Sequence, residues 1–270
     1  MTKLTDEAEQ EPGNEGRRRQ PLARGIEILT FMIESEHDSH GVRELAGHLG
    51  VSPSTAHRLV TDLEKLGLMR RAENGSYRLG LEFLRLAWTT TNKYPLQHLS
   101  AETLNELMEK SGESAFFSLY SEQRHEMMFT LTADSSHPLR YTLPMRQWLP
   151  LHAGASGLAI LAFLPKEVRH AIVHGRLTAA TNRTLTDPDE LLARLDTVHR
   201  DGYSITHGER IEGAIAIAAP VFGRSETVVG AVGITLPEAR LNATNASTLV
   251  ALVREAAGRI TELIAGTEER

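Results

Sequence analysis

The sequence predicts an α+β chain of two domains, and three observations carry that prediction. The 270 residues exceed one ordinary domain of about 100–200 residues. Apolar residues recur at helical spacing through 22–66, and then change to strand-like runs around 114–133 and 212–235. Charge is also unevenly divided: the net −6 consists of −4 over residues 1–16, +3 over 17–93 and −5 over 94–270. Segments that differ this way in charge are suited to different partners.

The elements follow in order. Residues 1–21 are polar, charged and short of aliphatic side chains, so they read as a disordered tail. Arg17, Arg18 and Arg19 are either a solvated run or an arm on DNA phosphates. Leu22, Ile26, Leu29 and Ile33 predict a first helix over 22–34. Val42, Leu45, Ala46 and Leu49 predict a second over 41–49, followed by a tight turn at Gly50–Val51. Ser52 is a good N-cap and Pro53 suits the first helical position, so a third helix runs from there to Leu66 and stops at Gly67. Asn74-Gly75 between two short alternating runs signals a hairpin. Helix, helix–turn–helix and hairpin together describe a winged helix-turn-helix over 22–80.

A linker helix with Leu81, Leu84, Leu86 and Trp88 occupies 81–95. The C-terminal domain, 96–268, opens with a helix near 97–110 and strands at 114–120 and 125–133. A helix is expected from near His152 to Pro165. Another is expected from a capping box at Thr186 and Asp189 to Gly202. A second hairpin joins 212–222 to 226–235 around Gly223–Ser225, and an amphipathic helix closes the chain over 244–265.

Composition excludes several classes. There is no cysteine, which removes disulfides, thiolate metal sites and thiol nucleophiles and fits a reducing compartment. No apolar run approaches the roughly 18 residues of a membrane span, and the polar N-terminus is no signal peptide. A cytoplasmic protein with no membrane partner is expected.

The second helix of a helix-turn-helix lies in the major groove, with its N-terminal residues at the base edges. Here the face opposite the apolar one carries Ser54, Arg58, Thr61, Asp62 and Lys65, flanked by Thr55 and His57 and preceded by Ser52. Hydroxyls, an imidazole and a guanidinium can all bond bases or phosphates. Arg70, Arg71 and Arg78 on the hairpin, and Arg43 before it, are placed to hold the backbone. The competing reading is a protein-contact module with a solvated charged face.

These residues carry a resemblance. LARGIEIL, VRELAGHLGVSPSTAHRLVTDLEKLGLMRR and SYRLG are similar to the winged domain of IclR-type bacterial transcription regulators. LPLHAGASGLAILAFLP and DGYSITHGERIEGAIAIAAPVF resemble that family's effector-binding domain, so the likeness spans about 22–265. The resemblance implies a GAF-like C-terminal domain that binds a small molecule. It also implies a homodimer, or a dimer of dimers, on a partly palindromic double-stranded operator.

The strands themselves suggest a cavity. Ala214, Ala216 and Ala218 alternate with Ile215 and Ile217, while Val229, Ala231, Gly233 and Thr235 share a face of the next strand. One face of this hairpin is lined with small groups, leaving room for a ligand or for a closely packed helix. The family's ligand site, carried over by position, falls on Leu139, Tyr141 and Met145, on His152, Gly154 and Ala155, and on His207, Ala214, Ala216, Gly233 and Thr235. His207 stands where an acidic or polar residue is common, and Gly233 where a serine could donate a hydrogen bond. With Tyr141, Met145 and Trp148, this favours a bulkier or aromatic ligand.

The remaining signals are weaker. GASGL has Leu158 where a nucleophile elbow needs glycine. His170 and His174 have metal-chelating spacing but no third ligand in sequence. Neither a cofactor nor a metal is expected, and no catalytic constellation is evident. The expected function is a DNA-binding regulator, a repressor, controlled by a carboxylic or aromatic-acid metabolite of a catabolic pathway. The competing readings are a ligand-independent architectural DNA binder and an enzyme acting on the small ligand.

Overall fold

The computed structural model describes residues 21–93, 96–223 and 226–267. Residues 1–20, and so nearly all of the expected tail with its run Arg17–Arg19, and residues 224–225 in the turn of the second hairpin lie outside them. The chain divides into two compact units at residue 93.

The first unit opens with α1 (Pro21–Glu34), α2 (Val42–Leu49) and α3 (Pro53–Lys65). They enclose Ile28, Leu45, Val60, Met69 and Tyr77. The Ser52 hydroxyl accepts the Thr55 N–H at 3.3 Å and Pro53 begins α3, as the sequence predicts. Strands β1 (Met69–Arg71) and β2 (Tyr77–Leu79) pair antiparallel to make the wing.

The wing turn is longer than the two-residue turn that Asn74-Gly75 suggests. Gly75 donates to the Ala72 carbonyl at 3.0 Å, and the Asn74 side chain accepts from Ser76. Only Gly75 takes a positive φ, whereas either two-residue primed turn needs a positive φ at its first central residue, which would be Asn74. Helix α4 (Leu81–Lys93), the helix expected as a linker over 81–95, falls within this unit. It springs from the wing at Gly80, where a Cβ would lie 2.0 Å from the Gly67 carbonyl oxygen.

The second unit begins with α5 (Leu96–Ser111). Its six strands are β3 (Ser114–Ser121), β4 (Glu126–Ala133), β5 (Leu149–Pro150), β6 (Ser204–His207), β7 (Ala214–Phe222) and β8 (Val228–Pro237). They form one antiparallel sheet in the order β5-β4-β3-β8-β7-β6. Side chains alternate across it. Phe117, Ile217 and Ile234 pack on α5 and α9 (Ala246–Thr267), while Phe116, Ala218 and Ala231 pack on α6 (Ala155–Leu161) and α8 (Pro188–Asp201). Helix α7 (Lys166–Val173) joins the latter side.

Three expectations need correction. Helix α6 starts at Ala155, not near His152, because Gly154 has φ 79 and ψ 159, a conformation essentially limited to glycine. Asp187, not Thr186, caps α8: its carboxylate accepts the N–H groups of Asp189 and Glu190, with Pro188 at the first helical position. A bulge opposite Phe222 breaks the parity of β8, so Val228 sides with Ala231 and Val229 with the α5–α9 layer. The short strands β5 and β6 carry too few residues to show a period in the sequence.

Candidate nucleic-acid interface and ligand cavity

Helix α3 is two-faced. Ala56, Leu59, Val60 and Leu63 are buried. Ser52, Ser54, His57, Arg58 and Lys65 are exposed, with Thr55 and Thr61 half-buried. Ser52 gathers the hydroxyls of Ser54 and Thr55 at 3.0 and 2.9 Å, which orients the helix start. Two groups are already engaged. Thr61 donates to the His57 carbonyl at 2.8 Å, and Lys65 pairs with Asp62 at 3.2 Å. Arg43, Arg58, Arg70, Arg71 and Arg78 are exposed, and none forms an ion pair with another described residue. Arg70 and Arg78 stand directly opposite each other in the wing. Like charges in that register repel until an anion comes between them.

In the second unit a cavity of about 30 Å³ lies between the sheet and the start of α6. Gly154, Ala155, Ala214, Ala216 and Thr235 line it, as carried over from the resemblance. Phe116, Phe129, Leu143, Ser156, Thr206, Glu209, Arg210 and Ile211 complete the lining.

The other carried-over residues sit elsewhere. Buried Thr206 takes the lining place that position matching gives to His207, which is exposed on the alternate face of β6. At Gly233 a Cβ would lie 2.6 Å from the Phe116 ring, so the ring fills the space that the missing side chain leaves. Leu139, Tyr141 and Met145 belong to the irregular segment 134–148. Leu139 is exposed, and its carbonyl accepts from Arg240, which also forms a bidentate pair with buried Glu113. The Tyr141 hydroxyl approaches Gly213, and Met145 bridges to Phe129. His152 is buried behind the lining and pairs through Nε2 with the Thr178 carbonyl at 2.9 Å.

Electrostatics single out two residues that position matching missed. Arg210 lies over Gly154 and donates from Nη2 to the carbonyls of Pro150 (2.9 Å) and Ala153. Burial pulls its guanidinium down to about 10. Glu209 is 6% exposed. Its Oε1 lies 3.5 Å from Arg194, and its Oε2 has no hydrogen-bond partner among the described residues. Desolvation raises its pKa, and Arg194 offsets this only in part. Burial likewise lowers the pKa of His152, with Arg210 adding to the shift. The signal for Glu209 and Arg210 was present as two adjacent charges on a short β6–β7 connection, but sequence alone does not show burial. Among the described residues no three His, Asp or Glu side chains gather into a metal site, and His170 and His174 merely stack edge to face.

Comparison with known proteins agrees with both units. Residues 21–73 match the IclR helix-turn-helix domain, and residues 88–262 match the bacterial transcriptional regulator IclR C-terminal domain. The transcriptional repressor IclR of Escherichia coli is 30% identical over 90% of this chain and 89% of its own length. The crystal structure of a putative IclR transcriptional regulator from Silicibacter superposes with a TM-score of 0.80, at 29% identity over 91% of this chain and 96% of that one. An IclR homologue from Microbacterium hydrocarbonoxydans, solved with 4-hydroxybenzoate, shares the fold with a TM-score of 0.75 and 24% identity over 90% and 98% of the two chains. The relatives are regulators rather than enzymes. With both domain models matched in order, the chain belongs to the IclR family of bacterial transcriptional regulators.

Proposed function

We propose that this protein is a cytoplasmic repressor whose grip on a partly palindromic operator is set by a small acidic effector. The exposed face of α3, beside the opposed Arg70 and Arg78, carries this reading. Ser52–Thr55, His57 and Arg58 meet base edges and flanking phosphates, and Thr61 and Lys65 follow the groove. Arg43, Arg70, Arg71 and Arg78 hold the backbone. A homodimer presents two such faces, joined through the exposed apolar residues of α1 and α4. The cavity receives the effector, and the relative solved with 4-hydroxybenzoate supports a small acid as its class. Tyr141, Met145 and Leu139 act as a covering segment. Effector binding shifts the operator only if it favours one arrangement of the dimer over another.

Arg58→Ala tests the docking. We expect at least a tenfold loss of affinity for the upstream region of its own gene in gel-shift titrations, with an unchanged melting temperature. Retained affinity would overturn the placement of α3. Equal affinity for any DNA sequence would instead point to an architectural binder.

A further inference from the structure

The cavity holds two ionisable side chains whose bonding is incomplete, and they are neighbours in sequence. Glu209 is more than nine-tenths buried, lines the cavity, and has an Oε2 with no hydrogen-bond partner among the described residues. A buried acceptor left unpaired costs free energy that a bound donor recovers. Arg210 lines the same cavity and uses only Nη2, on two backbone carbonyls, so Nε and Nη1 make no hydrogen bond to a described residue. Guanidinium forks are shaped to hold carboxylates through two nitrogens, and two carbonyl bonds do not neutralise the charge. One group therefore lacks a donor, and the other lacks an anion.

We propose that Glu209 and Arg210 are the paired polar anchors of the effector. The effector is then a small carboxylic acid that also carries a hydroxyl or amino donor. Its carboxylate bonds Arg210, and its donor bonds Glu209 Oε2. A plain monoacid leaves Glu209 unpaired, and a dicarboxylate sets a second negative charge against it. Discrimination built on leaving a buried polar group unpaired is strong. This inference rests on the effector-cavity reading and narrows it.

Calorimetry on the full chain tests it with two matched sets of acids. The small set is propionate, lactate, alanine and malonate. The aromatic set is benzoate, 4-hydroxybenzoate, 4-aminobenzoate and terephthalate. In one set the hydroxy or amino acid should bind at least tenfold more tightly than the plain acid, with the dicarboxylate weakest. Glu209→Met should abolish that preference. Glu209→Gln, which keeps the shape and removes the charge, should improve dicarboxylate binding and covers the case in which the Met variant does not fold. Arg210→Gln should weaken hydroxy and plain acids alike, by tenfold or more.

Acids that bind without a donor preference, or with one that survives Glu209→Met, would overturn the paired anchors and leave the cavity reading standing. A buried oxygen satisfied merely by water predicts that result. If folded, operator-binding protein takes up none of the acids, both readings fail.

Discussion

His152 shows how one buried side chain gives the second unit a pH limit. Burial, and next the nearby Arg210 charge, hold its imidazole below the ordinary value, while its Nε2 donates a hydrogen bond to the Thr178 carbonyl. The unfolded chain takes up its proton near pH 6.5. Below that pH the unfolded state binds more protons than the folded one, so stability falls as the pH falls. Thermal melts from pH 8 to pH 5 should therefore show a drop below about pH 6.5. His152→Gln should make that drop shallower; an identical slope in the variant would show that other groups set it. At this scale the sequence was only partly legible. Residues on the faces of strands, such as Ala214, Ala216 and Thr235, were found by alternation. Gly233 was not resolved, because the Phe116 ring that fills its space comes from β3, more than a hundred residues earlier.

Among the elements, those with local signals were legible. Ser52-Pro53 fixed the start of α3, and Gly50 and Gly202 fixed the ends of α2 and α8 with left-handed conformations. The elements that failed depend on distant packing. The apolar spacing of residues 151–164 continues through Gly154, but the backbone breaks there, where the Arg210 side chain packs against it. Gly154→Ala would place a Cβ 2.9 Å from Arg210 Nε in a conformation that alanine resists. We expect it to cost about 1–3 kcal/mol of stability, read by denaturant melts, and to weaken acid binding. An alanine variant as stable as the wild type would mean that the turn adapts.

For the whole molecule, the two units carry different surfaces. The first leaves Leu22, Ile26 and Ile33 on α1 and Leu81, Leu84 and Trp88 on α4 exposed. With Leu86, also exposed on α4, that makes seven on two helices of one small unit, more exposed apolar side chain than scattered single residues would give. In the homodimer proposed above a second copy of the chain would cover them, so Trp88→Glu should shift sedimentation toward monomer and weaken operator binding. A variant that stays dimeric would move the interface elsewhere. The net charge of −6 is compatible with a DNA partner, because the +3 of residues 17–93 lies in the segment that holds α3 and the wing. So small an excess leaves specific contacts and pairing to supply most of the affinity.

The size of the cavity bears on timing. At about 30 Å³ it has room for no more than a water or two, too little for a whole metabolite as it stands. If the cavity takes the effector, side chains of its lining, such as Leu143 and Arg210, have to move aside. Uptake then saturates at the opening rate of the protein, however much metabolite is present. The regulator would ignore brief pulses of effector and respond only to supply that outlasts its own opening.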